Sequence, residues 1–142
     1  MGLILMENQG KQKRLNEIYD EIETLNPEHL ADLNKMINLY SKAQMIIGFL
    51  DADALYNHGA MYAERKKLQG EISSEFKGTG VEKEAESNKK TYDLRMKEAK
   101  AKAESRKWQN LFKATDNLII ALRRDERTAL EEYKKANDIY DR

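Results

Sequence analysis

The stretch from Ser87 to Trp108, SNKKTYDLRMKEAKAKAESRKW, concentrates positive charge in a chain whose formal net charge is zero. It contains eight Lys or Arg residues and three Asp or Glu residues. On a helix, cations border both edges of an alanine-rich stripe, with Lys102, Arg95 and Arg106 along one edge and Lys89 and Lys107 along the other. Because guanidinium groups bind phosphate through paired hydrogen bonds, the pattern predicts a groove for a phosphate-bearing ligand.

Aromatic side chains near these cations add a surface on which a base or an arginine can stack. A second basic segment, from Tyr62 to Lys67, is expected to face the first. The predicted ligand-binding residues are Tyr62, Arg65, Lys66, Lys89, Tyr92, Arg95, Lys102, Arg106 and Trp108. The alternative interpretation is structural: the basic run is a solvated helix face, Trp108 is a core residue, and the alanines form a close helix–helix contact.

Residue types that perform catalysis or bind metals are poorly represented. The two histidines, His29 and His58, belong to no HExxH or Glu-x-x-His arrangement, and the chain has no cysteine. Asp51 and Asp53 are two residues apart and therefore fall on different faces of a helix. The sequence predicts a protein that is not an enzyme and that has no cofactor and no metal.

The elements that position these residues are predicted to be helices throughout. Leu15, Ile18, Ile22 and Leu25 are spaced for a short helix over 11–25. Asn26-Pro27 predicts the start of a second helix over 27–76, and Thr79 with Glu82 forms a capping-box pattern that predicts a third over 80–138. We expect an all-α fold, a long antiparallel helical hairpin with a short N-terminal helix. Gly59 marks the position where the second helix could be kinked, and the sequence leaves open whether it is.

Two apolar stripes are predicted on the last helix. The first contains Ala85, Tyr92, Met96, Ala99 and Ala103. The second begins at Trp108 and is rotated by roughly 120° on a helical wheel; its positions at Trp108, Thr115, Leu122, Ala129 and Ala136 step by seven, as in coiled coils. Because one straight helix cannot offer both stripes to the same neighbour, the pattern predicts a bend or assembly into a homo-oligomeric bundle.

Composition limits the class of protein. The length of 142 residues fits one domain over 1–142. The apolar runs fall far short of the ~18–20 residues of a membrane span, so no membrane partner is expected. The absence of cysteine fits a reducing cytoplasm. The zero net charge disfavours a general nucleic-acid binder.

A pattern of residue types across roughly residues 40–125 resembles small helical proteins encoded in the early regions of bacteriophages. The pattern comprises Tyr62, Arg65, Lys66, Gly80, Lys83, Glu84, Ala85, Arg95, Glu98, Ala99, Glu104, Arg106, Trp108 and Phe112. Such phage proteins are non-enzymatic accessories, and some accompany single-strand annealing recombination. Others capture the nucleotide messengers of host defence between subunits. The resemblance implies an accessory role in the host cytoplasm, and neither group supplies a motif that assigns binding residues.

The expected function is therefore a phage-type counter-defence protein, a homo-oligomer that captures a small nucleotide at a basic pocket between helices or subunits. Two alternatives remain open. One is a recombination accessory that contacts single-stranded DNA or a recombinase, and the other is a helical adaptor that inhibits a host protein.

Overall fold

The computed structural model describes residues 2–140, with side chains described from residue 8 onward. Four helices follow one another: α1 (Gly2–Glu23), α2 (Leu30–Glu75), α3 (Gly80–Lys90) and α4 (Tyr92–Tyr140). No strand is present among the described residues, so the predicted all-α class is confirmed. No helix in this part of the chain is long and apolar enough to cross a membrane.

The connection between α1 and α2 places the start of α2 three residues later than predicted. Asn26 and Pro27 form a separate turn, in which the Asn26 side-chain oxygen accepts the Glu28 N–H at 3.0 Å. The Asn26 N–H in turn donates to the Asp32 carboxylate at 3.1 Å. Asn26 and Pro27 therefore precede the helix, because the Asn26 side chain closes a local turn that competes with helical hydrogen bonding.

Helix α2 continues without interruption through Gly59, where the sequence left a kink open. A methyl group added at Gly59 would meet no neighbouring atom within 4 Å, so no close approach requires a glycine there. The neighbours His58 and Met61 are half-buried. Packing on both sides of a single glycine outweighs its intrinsic cost of about 1 kcal/mol in a helix interior.

The predicted helix over 80–138 is divided at Thr91 into α3 and α4. Its start is as predicted: the Thr79 hydroxyl accepts from the Glu82 N–H, and the Glu82 carboxylate accepts from the Thr79 N–H, each at 3.2 Å. At the division, the buried Thr91 is the C-cap of α3, with φ −96° and ψ 2°. It donates through its hydroxyl, at 2.6 Å, and through its N–H to the same Ser87 carbonyl.

The chain forms two compact units, which are described separately; the single domain predicted over 1–142 stays a prediction. Unit 1 comprises residues up to 49 and from 109 onward. Its core is formed by buried residues of α1, α2 and α4. The buried apolar residues described in this unit are Leu15, Ile18, Ile22, Leu33, Ile37, Leu39, Ala43, Ile47, Ile119 and Leu122.

Unit 2 comprises residues 50–108 and contains fewer buried apolar side chains among the described residues. Its buried residues are Leu50, Ala54, Ile72, Thr91, Ser105 and Trp108. On α4 the packed positions are Leu94, Glu98, Ala101, Ser105 and Trp108, a spacing of three and four residues.

The first predicted apolar stripe is not a packing face within the chain, because all five of its residues are exposed. Its contact with another subunit stays a prediction. Polar side chains with partners take the packed positions instead: the Ser105 hydroxyl donates to Asp51 at 3.3 Å, and Glu98 accepts from Arg65. The predicted change of stripe near Trp108 is also wrong. The buried positions Ser105, Trp108, Thr115 and Ile119 keep one spacing of three and four, with Leu111 half-buried between them.

Candidate functional site

A groove in unit 2 brings four of the predicted ligand-binding residues together. It is lined by His58, Tyr62 and Arg65 from α2 and by Arg95, Glu98, Ala99 and Lys102 from α4, and its volume is about 560 Å³. The residues from each helix are three or four positions apart and so share one side of that helix. The pairing of α2 with α4 in this unit aligns the two sets.

An ion pair between Arg65 and Glu98 forms the floor of the groove. The Nε atom of Arg65 donates to one oxygen of Glu98 at 2.5 Å, and Nη2 donates to the other at 3.3 Å. The Arg65 Nη1 atom also donates to the Gln69 side-chain oxygen at 3.4 Å. Both side chains of the pair are mostly buried, with 16% and 15% of their surface exposed. This two-bond geometry fixes the guanidinium in one orientation.

The ion pair determines the ionisation of Glu98. The hydrogen bond from Arg65 is the main cause that holds the pKa of Glu98 below its ordinary value of 4.5, with smaller contributions from the charges of Arg65, His58 and Lys102. The same bond raises the pKa of Arg65 above its ordinary value. Glu98 is therefore an anion at neutral pH and is poorly suited to donate a proton in catalysis.

Tyr62 lies on the α2 wall of the groove, opposite the residues of α4, and interacts with two cations. Tyr62 as a whole residue is 45% exposed. The Arg65 guanidinium carbon is 5.1 Å from the ring centroid, and the Lys66 ammonium is 5.6 Å from it. Both distances are within the range of cation–π attraction. Lys66 thus joins the edge of the groove through Tyr62, although it does not line the groove.

Arg95 and Lys102 supply the accessible positive charge, since both side chains are exposed. Arg95 Nη2 donates to the Asn88 carbonyl at 2.9 Å, which holds the guanidinium beside the end of α3. The groove contains three cations and one carboxylate, with His58 counted as neutral. Because Glu98 offsets Arg65, the positive charge of Arg95 and Lys102 remains for an anionic ligand.

The remaining predicted residues lie outside the groove. Lys89, Tyr92 and Arg106 are exposed but do not line it. Trp108 is only 5% exposed, and its indole N–H donates to Glu104 at 3.1 Å, so its assignment as a ligand-binding residue is corrected here. The indole occupies a packed position of α4, where it serves the core of unit 2.

Three lining residues were absent from the prediction: His58, Glu98 and Ala99. Glu98 lies on the packed face of α4, where an acid requires a cation as its partner, and Arg65 supplies that cation. His58 precedes Tyr62 by four residues and Arg65 by seven, a spacing that places all three on one side of α2. That spacing was the available signal for His58.

A second groove lies in unit 1, at the start of α2. Leu30, Ala31, Asn34, Lys35, Glu126 and Leu130 line it, and its volume is about 670 Å³. The Asn34 amide donates to Glu126 at 3.1 Å. With one lysine and one glutamate, this groove has no excess of positive charge and is not suited to a phosphate.

Within the described residues, no group of three or more His, Asp or Glu side chains is placed to hold a metal ion. Comparison with known proteins gives no assignment: no protein family, no curated protein and no solved structure matches this chain. The geometry of the groove is therefore the basis for a functional proposal.

Proposed function

We propose that this chain is a non-enzymatic binding protein whose basic groove in unit 2 captures a small phosphate-bearing ligand of the nucleotide class. The observation that carries the proposal is the pairing of exposed Arg95 and Lys102 along one wall with the exposed Tyr62 ring on the other. The groove volume of about 560 Å³ lies within the ~300–1,000 Å³ range of small-molecule sites.

Each wall has a distinct role in this proposal. Arg95 and Lys102 bind the phosphate, and the Arg95 fork supplies two parallel donors. Tyr62 supports the base or sugar from the opposite side. Arg65 stays paired with Glu98 and stabilises the floor. The phage-type resemblance adds the biological setting: capture of a nucleotide messenger of host defence, in the host cytoplasm, by a homo-oligomer whose second subunit completes the groove.

The experiment is isothermal titration of the full chain with a panel of cyclic and ADP-ribose-type nucleotides. We expect saturable binding of at least one nucleotide, and we expect a loss of about tenfold or more in the double variant Arg95→Ala/Lys102→Ala, because two charge-assisted contacts disappear. Arg106→Ala is the matched control, since it removes a guanidinium of the same helix that does not line the groove. Equal weakening by both variants would contradict the groove assignment.

A second candidate function is a recombination accessory that contacts single-stranded DNA or a recombinase. It is favoured by the exposed cations Lys66, Lys89 and Arg106, which lie outside the groove and extend the basic surface beyond one nucleotide. Binding that weakens steeply with salt and with shorter oligonucleotides would support it, because phosphate contacts release counterions. In that case Arg106→Ala weakens binding as much as Arg95→Ala does.

A third candidate is a helical adaptor that inhibits a host protein. The exposed apolar side chains of unit 2, which include Leu55, Tyr56 and Val81, favour this function. It predicts that no nucleotide and no DNA binds at all.

A further inference from the structure

We infer that the outer face of α4 between residues 92 and 107 is a docking surface for an acidic amphipathic helix of a partner protein. The outer face is defined as the apolar line Tyr92, Met96, Ala99 and Ala103 together with the cations Arg95, Lys100, Lys102, Arg106 and Lys107. The outer face shares Arg95, Ala99 and Lys102 with the groove, whereas Tyr92, Met96, Ala103, Lys100, Arg106 and Lys107 do not line it.

No element among the described residues covers the apolar line. Tyr92 and Met96 are 56% and 55% exposed, and Ala99 and Ala103 are exposed as well. At about 100° per residue, these four positions fall within a narrow arc opposite the packed face of α4. An exposed apolar line of this length marks a site of contact with another molecule.

The spacing of the line matches a helix. Its intervals are four, three and four residues, the pattern by which one helix packs along another. The two alanines leave room for the backbone of a partner to approach closely, while Tyr92 and Met96 supply the larger contacts. A nucleic acid would gain little from Met96 and the two alanines, since none of them stacks on a base or hydrogen-bonds to it.

The charges along both edges specify the sign of the partner. Arg95, Lys102 and Arg106 follow one edge, and Lys100 and Lys107 follow the other. The acids of this segment lie outside the arc: Asp93 and Glu104 fall behind the second edge, and Glu98 is on the packed face with Arg65.

Of the cations on the second edge, Lys107 is 3.9 Å from the Glu104 carboxylate. A partner helix with acids on both flanks of an apolar stripe complements this surface. A second copy of the same face does not, because cations would oppose cations in either orientation.

The test uses the full chain and a fluorescein-labelled peptide of about three heptads, with leucine and alanine on one stripe and glutamate on both flanks. Three probes accompany it: a twin peptide with lysine flanks, a polyglutamate of equal length and a single-stranded oligonucleotide of equal charge. Fluorescence anisotropy at near-physiological salt measures binding. We expect saturable binding of the acidic peptide, no binding of the lysine twin, and binding of polyglutamate at least about tenfold weaker.

Two variants locate the surface. Met96→Glu is expected to weaken binding of the acidic peptide by about tenfold or more, because it places a negative charge on the apolar line, opposite the glutamates of the peptide. Ile120→Glu, at a residue of α4 that is 51% exposed, is the matched control and should leave binding unchanged. The double variant Lys100→Glu/Lys107→Glu should also weaken binding of the acidic peptide, while nucleotide binding in the groove should be unchanged.

Several outcomes would overturn the inference. With the acidic peptide, the contradicting outcomes are no binding, or an affinity equal to that for polyglutamate. Tighter binding of the oligonucleotide than of the peptide would also contradict the inference. So would self-association of the chain that Met96→Glu abolishes. The last outcome would assign the face to a second copy. None of them depends on whether nucleotides bind the groove, so the two proposals are tested separately.

Discussion

Glu98 is the side chain on which the electrostatics of the groove depend. It offsets Arg65 and thereby leaves the accessible charge to Arg95 and Lys102. Because Glu98 is charged and yet lies on the packed face of α4, a pattern of apolar residues alone does not identify that face. The Arg65–Glu98 ion pair thus contributes to the contact between α2 and α4 and sets the charge of the groove floor.

The Glu98→Gln variant is expected to remove a pH-dependent part of stability. In the folded chain the pKa of Glu98 is below its ordinary value of 4.5, chiefly because Arg65 donates hydrogen bonds to it. The ionised form therefore stabilises the folded state above that ordinary value. The stabilisation is lost as pH falls through the lower folded-state pKa. Melting temperatures measured from about pH 7 to about pH 3 should show the wild type losing its advantage over Glu98→Gln.

Glu84→Gln is the control for this measurement, because Glu84 is exposed and forms no part of the groove. The difference between wild type and Glu84→Gln should stay nearly constant across the same range. A constant difference for Glu98→Gln as well would contradict the assigned role of the ion pair.

At the scale of elements, short sequence patterns predicted those helix boundaries that are fixed by hydrogen bonds between neighbouring residues. The capping box of Thr79 and Glu82 identified the start of α3 correctly, because both of its hydrogen bonds lie within four residues. The division at Thr91 was missed because a threonine inside a polar helical pattern gives no signal of its own. The lining of the groove was predicted in part, because the spacing of Tyr62 and Arg65 on one helix and of Arg95 and Lys102 on the other was visible in the sequence.

The remaining site residues depend on pairing between helices that are distant in sequence. Glu98 and Arg65 are 33 residues apart, and only the packing of α2 on α4 shows that they meet. Trp108 was assigned to the ligand for the converse reason: its exposure depends on that same packing. Spacing along one helix predicts which residues share a side, and it does not predict which side is covered.

Helix α3 should depend strongly on its N-terminal cap. It spans 11 residues and contains no buried residue, so tertiary packing contributes little to it. Thr79→Ala is expected to destabilise α3 by about 1 kcal/mol. Hydrogen exchange of the amides between residues 80 and 90 should accelerate about fivefold, whereas Glu82→Gln, which preserves the capping box, should change little. Unchanged exchange in Thr79→Ala would show that α3 is held by other contacts.

At the scale of the whole molecule, the two units differ in what they bury. Unit 1 has a larger set of buried aliphatic residues, whereas unit 2 places Thr91 and Ser105 among its few buried side chains. Apolar burial is the main favourable contribution to folding. We therefore expect unit 2 to be the less stable of the two.

The single tryptophan allows this expectation to be measured. Trp108 is buried in unit 2, so its fluorescence follows that unit, while circular dichroism follows all four helices. In urea, the fluorescence transition should come at a lower midpoint than the dichroism transition, because the two probes report different regions. Coincident transitions would mean that the two units unfold together.

The hydrogen bond from Arg95 to the Asn88 carbonyl links the proposed ligand groove to α3. Arg95 belongs to α4 and Asn88 to α3, with the Thr91 junction between them. Under the proposed function, a phosphate that engages both N–H edges of the guanidinium would take the donor away from that carbonyl. We therefore expect a ligand in the groove to uncouple the last turn of α3 from α4, so that a helix outside the groove responds to the ligand.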